Sequence, residues 1–239
     1  QGDFKELRAQ GVAAGSEKKG GLAILMHAAR NYRVWILFFS YAACFGIEIF
    51  MHNIIAMYYV ENFDFGLKEA GMAAGIFGLL ALFARAFGGI LSDKVALKKG
   101  LDGRTKILFV LILGEGLFLM VFSHMNSATL AILSMTVFAL FTHMACGATY
   151  ALVPFIDREA LGGVAGIIGA GGNVGAVAAG FLLKGMVDIQ TCLMVLGGLV
   201  VISASSVMLI RFSVEHKEKE QRLFEQAILE RSSEQNSAA

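Results

Sequence analysis

Six apolar runs dominate the chain, at residues 34–60, 70–91, 107–123, 129–153, 162–183 and 189–210, with charged connections between them. A helix that crosses roughly 30 Å of hydrocarbon at about 1.5 Å per residue needs about 20 predominantly apolar residues. Each run is of that order, so the chain reads as an all-α membrane protein with six spans. Composition agrees: 56% of the 239 residues are hydrophobic and the mean hydropathy is +0.67, far above a soluble domain. The 28 glycines, many of them inside the runs, suit close helix packing in lipid, where small residues let backbones approach.

Basic residues orient the spans. The stretch up to Arg33 and the connections after the second, fourth and sixth runs hold 17 of the 20 lysines and arginines, whereas the opposite connections hold Lys68 and Lys184; the remaining one, Arg85, lies within a span. The positive-inside tendency then places both termini in the cytoplasm. No continuous basic face offers a nucleic-acid surface. Cys44, Cys146 and Cys192 all fall in the runs, which makes them packing residues rather than metal ligands or extracellular disulfides.

Residues 1–30 are polar, rich in glycine and alanine, and lack the order of a signal peptide; they read as a linker ahead of a 31–211 bundle. The tail, 212–239, alternates charges densely and carries Leu223, Phe224, Ala227 and Ile228 at helical spacing. A solvated, fraying helix is the preferred reading over a helix lying on the membrane or a partner.

An ionised side chain at the centre of a span costs about 2.5–3.5 kcal/mol on insertion scales, so each one needs a reason. Arg85 has two: a long side chain snorkelling to the interface, or a planar guanidinium placed for bidentate capture of a small oxyanion. The second is preferred. In the first run Tyr41, Phe45, Glu48 and His52 are spaced four, three and four apart and share one helical face. The aromatics suit a cavity wall. Glu48 and His52 either carry a proton or merely bond to a neighbouring helix. Glu115 and His143 are weaker candidates of the same kind. The segment Gly88–Lys94 reads as a tight connection, in which Asp93 and Arg104 are a candidate gating ion pair.

The fifth run holds the segment Gly169-Ala-Gly-Gly-Asn173-Val-Gly175. Steps of three residues drift around a helix, so backbone is bared on several sides, suiting a helix that slides on its neighbours or meets a small ligand directly. A dinucleotide loop is excluded, since no strand precedes it and no ribose-binding acid follows in a βαβ unit. No catalytic set or metal-ligand spacing is visible, so neither an enzyme nor a cofactor is expected.

The segments Tyr41–Glu48, Phe83–Asp93, Ala145–Phe155 and Gly169–Gly175 resemble the nitrate/nitrite porters of the major facilitator superfamily, and the last resembles that family's nitrate signature. The resemblance implies helices seven to twelve of a twelve-helix transporter, with residues 1–30 as the central cytoplasmic loop. It implies nitrate or nitrite bound between two arginines, of which Arg85 is the carboxy-half member and the other belongs to a missing amino-terminal half. Tyr41, Phe45, Gly171 and Asn173 take the places of substrate-binding residues, and proton symport points to Glu48. An accessory subunit and a plasma-membrane or bacterial inner-membrane location are further implications. A transporter of another small anion explains Arg85 without the glycine-lined site, and a non-transporting membrane protein explains the hydropathy alone.

Overall fold

The computed structural model describes residues 21–220, 222, 223 and 226. Helices account for the ordered elements and no strand occurs among the described residues. Five helices are long and apolar enough to cross a bilayer. The longest makes two passes, which gives the six expected from hydropathy.

A short helix, α1 (Gly21–Ala29), precedes the first pass. That pass is one 32-residue rod, Tyr32–Phe63, built from α2 (Tyr32–Tyr41), a π-helical segment (Ala42–Gly46) and α3 (Ile47–Phe63). Asn31 caps α2, its side chain accepting the Arg33 N–H at 3.1 Å. The π segment interrupts the 3.6-residue repeat and so rotates the face that α3 presents, a distortion concentrated at functional sites in helical proteins. Asp64 ends α3 in the left-handed region (φ 54°).

Helix α4 (Leu67–Ser123) has 57 residues, which as a straight rod would measure roughly 86 Å. It reverses at Gly100, whose φ of 57° and ψ of −149° only glycine adopts readily. Val95 and Gly103 would lie about 12 Å apart along a straight helix, yet a Cβ on Gly103 would sit 3.0 Å from the Val95 carbonyl oxygen. The connection expected over Gly88–Lys94 is therefore helical, and the turn falls later. Leucine, alanine and lysine after Lys94 all favour helix, and the next residue that frees the backbone is Gly100.

Helix α5 (Ala128–Leu152) runs into a 3₁₀ turn at Val153–Phe155, where Pro154 removes a backbone donor. Helix α6 spans Leu161–Gly185 and α7 spans Ile189–Val207, capped by Asp188. Helix α4 packs along α5 and α7, whereas α6 packs along α1, α2 and the π segment. The glycines of α6 divide accordingly: Gly163 meets Ile24 of α1, Gly171 meets Phe38, Gly172 meets Phe45, and Gly166 and Gly180 meet nothing within 4 Å of a notional Cβ.

The described parts of the two end stretches are helical. The stretch read as a linker contains α1, with His27 3.0 Å from Asp157. The stretch read as a solvated tail is helical over 214–220 and docked: Lys217 pairs with Asp102 at 2.6 Å, His216 Nε2 lies 3.0 Å from the Phe155 carbonyl oxygen, and Glu220 binds Arg158. Donating to the Glu220 carboxylate pushes the Arg158 guanidinium above its usual range. Glu220 itself is 7% exposed, so this helix buries one charge by pairing it. Residues 1–20 of the first stretch, and Phe224, Ala227 and Ile228 of the second, lie outside the described residues.

Candidate functional site

The site lies where the first pass meets α4 and α5. Two close crossings bring their backbones together. A Cβ on Gly88 would lie 2.0 Å from the Met144 carbonyl oxygen, and one on Gly147 would lie 1.9 Å from that of Arg85. Only glycine permits either approach, and together they fix Arg85 beside α5.

From this crossing the Arg85 side chain turns into the bundle. Its Nη2 donates to both oxygens of Glu48, at 2.6 and 2.7 Å, and its guanidinium carbon lies 5.2 Å from the centre of the Phe45 ring. The head group thus ends on a neighbouring helix. Nitrogen Nη2 alone serves Glu48. The Nε–H is buried with no protein partner, and the side chain keeps 40% of its exposure while that of Glu48 keeps 5%. A guanidinium carries five N–H donors, so one edge of the fork remains available.

Glu48 is a hub. Besides Arg85, it has Nδ1 of His143 3.3 Å from Oε2, the Cys146 thiol donating to Oε2 at 3.5 Å, and His52 Nε2 3.8 Å from Oε1. The first pass carries Glu48 and His52 one turn apart, as their spacing requires. The partners on α5 are His143 and Cys146, followed by Tyr150, which packs edge-on against Tyr41 with centroids 5.1 Å apart. Their steps of three and four residues place them on one face of α5. That spacing is the sequence signal that joins His143, a weaker candidate by sequence, to Cys146, which sequence assigns to packing. The three cysteines are free and buried, and Cys146 adds a polar contact to its packing role.

The aromatic wall is continuous. Tyr41 and Phe45 stack with centroids 5.0 Å apart and planes 16° from parallel. Gly172 lets α6 press onto them, its notional Cβ falling 2.3 Å from Phe45 Cδ1. Gly171 is buried one step along, against the Phe38 carbonyl oxygen. Asn173 is exposed, and its amide donates to the Gly169 carbonyl of its own helix at 3.4 Å; no hydrogen bond joins it to Arg85. Tyr41, Phe45, Glu48 and Arg85 are therefore brought together, while Gly171 meets Phe38 and Asn173 is turned to the exposed side of its own helix.

Asp93 and Arg104 form a 2.6 Å ion pair across the Gly100 turn, with the Arg104 guanidinium 4.7 Å from the Phe155 ring centre. Glu115 is fully buried with neither carboxyl oxygen bonded to protein. A concavity of about 640 Å³ at the opposite end, lined by Asn53, Glu61 and Asp188 among others, does not include Arg85. Among the described residues no group of three or more His, Cys, Asp or Glu side chains could hold a metal ion.

The interior of this helical membrane bundle thus places one arginine, one acid and an aromatic stack together around a partly exposed guanidinium fork. Residues 34–236 match the family model of the Major Facilitator Superfamily. The chain belongs to that superfamily and, within it, to the nitrate/nitrite porters. It is 39% identical over 176 residues to the high affinity nitrate transporter 2.5 of Arabidopsis thaliana, an alignment covering 74% of this chain and 34% of that protein. It is 37% identical over 176 residues to nitrate transporter 2.2 of Chlamydomonas reinhardtii, covering 73% and 34%. A nitrate/nitrite transporter of Nostoc punctiforme is 33% identical over 146 residues, covering 61% and 28%. The chain spans about a third of the length of the curated relatives it matches.

Proposed function

We propose that this chain is the carboxy-terminal half of a transporter, not an enzyme, that carries nitrate, or nitrite, by proton symport and alternating access, with Arg85 as its half of the anion site. The observation that carries the reading is the arrangement of Arg85: one nitrogen bound by Glu48, a buried Nε–H without a protein partner, and the rest of the fork open. Nitrate is planar with three equivalent oxygens, so it matches a planar donor fork, and the stacked pair of Tyr41 and Phe45 supplies a flat apolar boundary. The names of the relatives point to the same solute.

Glu48 then acts as a tethered competitor. Its carboxylate occupies Arg85 when the site is empty, and an arriving anion competes for the same donors. Losing Arg85 leaves Glu48 an unpaired charge in a low-dielectric bundle, a cost of several kcal/mol that a proton removes. Proton and anion binding therefore support each other. Gly171 and Asn173 act from α6, the helix that slides beside the aromatic pair, while Asp93 and Arg104 hold the Gly100 turn in one gating state.

In this reading residues 1–30 are the central cytoplasmic loop, 31–211 the membrane bundle and 212–239 a cytoplasmic tail, with both termini inside a plasma or bacterial inner membrane. The other arginine comes from an amino-terminal half, and an accessory subunit is a candidate partner. Nitrate uptake by the complete gene product with Arg85→Lys tests the anion site. Lysine keeps the charge and loses the fork, so high-affinity uptake falls by an order of magnitude or more; wild-type affinity in the variant would refute it.

A further inference from the structure

We propose that His143 is a proton-binding residue of the transport cycle and shares its proton with Glu48. The inference rests on the reading of Glu48 as the proton-coupling acid and extends it to a residue that the function has not yet used. The carbonyl oxygen of Phe77 lies 3.0 Å from His143 Nε2, and a carbonyl only accepts. Nε2 therefore carries the hydrogen, and a neutral ring then presents the lone pair of Nδ1. Nδ1 lies 3.3 Å from Glu48 Oε2, off the line of a formed hydrogen bond. With Glu48 ionised and His143 neutral, two lone pairs face each other inside a fully buried contact. A proton on either atom removes that opposition.

The groups around this contact come from each packed element. Glu48 and His52 face it from α3, Arg85 from the first limb of α4, and Cys146 from α5 itself. Glu115, on the second limb of α4, adds a carboxyl near enough to Glu48 to bear on its charge. Arg85 and Glu48 cancel one another, so an anion entering the fork brings a net negative charge into the membrane interior. A proton on His143 restores neutrality, which couples one proton to one anion by electrostatics alone.

A route to water also exists. The side chain of His52 is 42% exposed, that of Glu48 is 5% exposed and that of His143 is fully buried. The three therefore run from the edge of the bundle inward. The His52 imidazolium gives its Nε2 proton to Glu48 Oε1, breaking N–H and forming O–H. The carboxyl group rotates and gives that proton to His143 Nδ1, breaking O–H and forming N–H, which leaves an ionised Glu48 paired with the His143 imidazolium and His52 ready to take another proton from water.

The test compares proton-driven nitrate uptake with nitrate–nitrate counterflow in the complete transporter, for wild type and His143→Gln. Glutamine can keep the donor to Phe77 and has no titrating nitrogen. The expected result is a ratio of proton-driven uptake to counterflow about 100-fold below wild type, the scale of a lost positioned proton-transfer group. A structural role would lower both rates alike and leave the ratio unchanged, which would overturn the proposal. Should His143→Gln not reach the membrane, infrared difference spectra of wild type labelled at histidine decide the matter. An imidazole that gains a proton on nitrate binding supports it, and no histidine signal overturns it. Failure of the underlying reading looks different: a wild-type transporter with no proton-driven uptake removes the role of Glu48 and His143 together, whereas an unchanged ratio in His143→Gln beside an altered one in Glu48→Gln removes His143 alone.

Discussion

Gly147→Ala isolates the packing that positions Arg85. Its added Cβ would fall 1.9 Å from the Arg85 carbonyl oxygen, where ordinary contact begins at 3.4 Å, so the two backbones must separate by about 1.5 Å. Neither atom belongs to a flexible side chain, and the compression cannot be relieved by a rotamer change. Overpacking of this kind costs about 1–3 kcal/mol. The Arg85–Glu48 hydrogen bonds at 2.6 and 2.7 Å would lengthen past bonding range if the shift lay along them. A misplacement of about 1 Å at a binding constellation costs on the order of 100-fold in rate. Gly89→Ala is the control, since its Cβ meets nothing within 4 Å. Thermal unfolding in detergent and the concentration dependence of nitrate uptake should both worsen for Gly147→Ala and hold for Gly89→Ala. A Gly147→Ala protein with wild-type melting temperature and uptake would refute the claim that this crossing sets the site.

Glu48→Gln in the complete transporter should leave an anion site whose uptake no longer rises as external pH falls, read by initial rates across a pH series. Asp188 accepts from the Thr191 N–H at 2.6 Å and from its hydroxyl at 2.9 Å, and these bonds hold its carboxyl below the usual range. A depressed value means that the cap contributes fully above the ordinary carboxylate range and fades as pH falls through the lowered one; Asp188→Asn should flatten that acid dependence of melting. Glu220→Gln should loosen the docked 214–220 helix from Arg158 and speed amide exchange there. The 158–220 pair is half-exposed on its arginine side, so the loss in overall stability is about 1 kcal/mol or less.

Hydropathy and residue identity determine the part of this protein that depends on local sequence. The six crossings follow from the length of the apolar runs, and the shared face of Tyr41, Phe45, Glu48 and His52 follows from helical spacing, because both are properties of consecutive residues in a solvent that enforces helix. Arg85 was conspicuous for the same reason: a charge in such a run has no local excuse. The partner that Arg85 holds was not legible, since Glu48 is 37 residues away and the choice between lipid interface and neighbouring helix is made by packing at Gly88 and Gly147. His143 and Cys146 gain their significance only when α5 faces the first pass. Tertiary structure likewise moved the turn from Gly88–Lys94 to Gly100, where a conformation suited to glycine reverses the chain, introduced the π segment that re-aims α3, and docked the charged tail by pairing Glu220 with Arg158. In each case the deciding energy lies between residues far apart in sequence, which spacing along one helix does not encode.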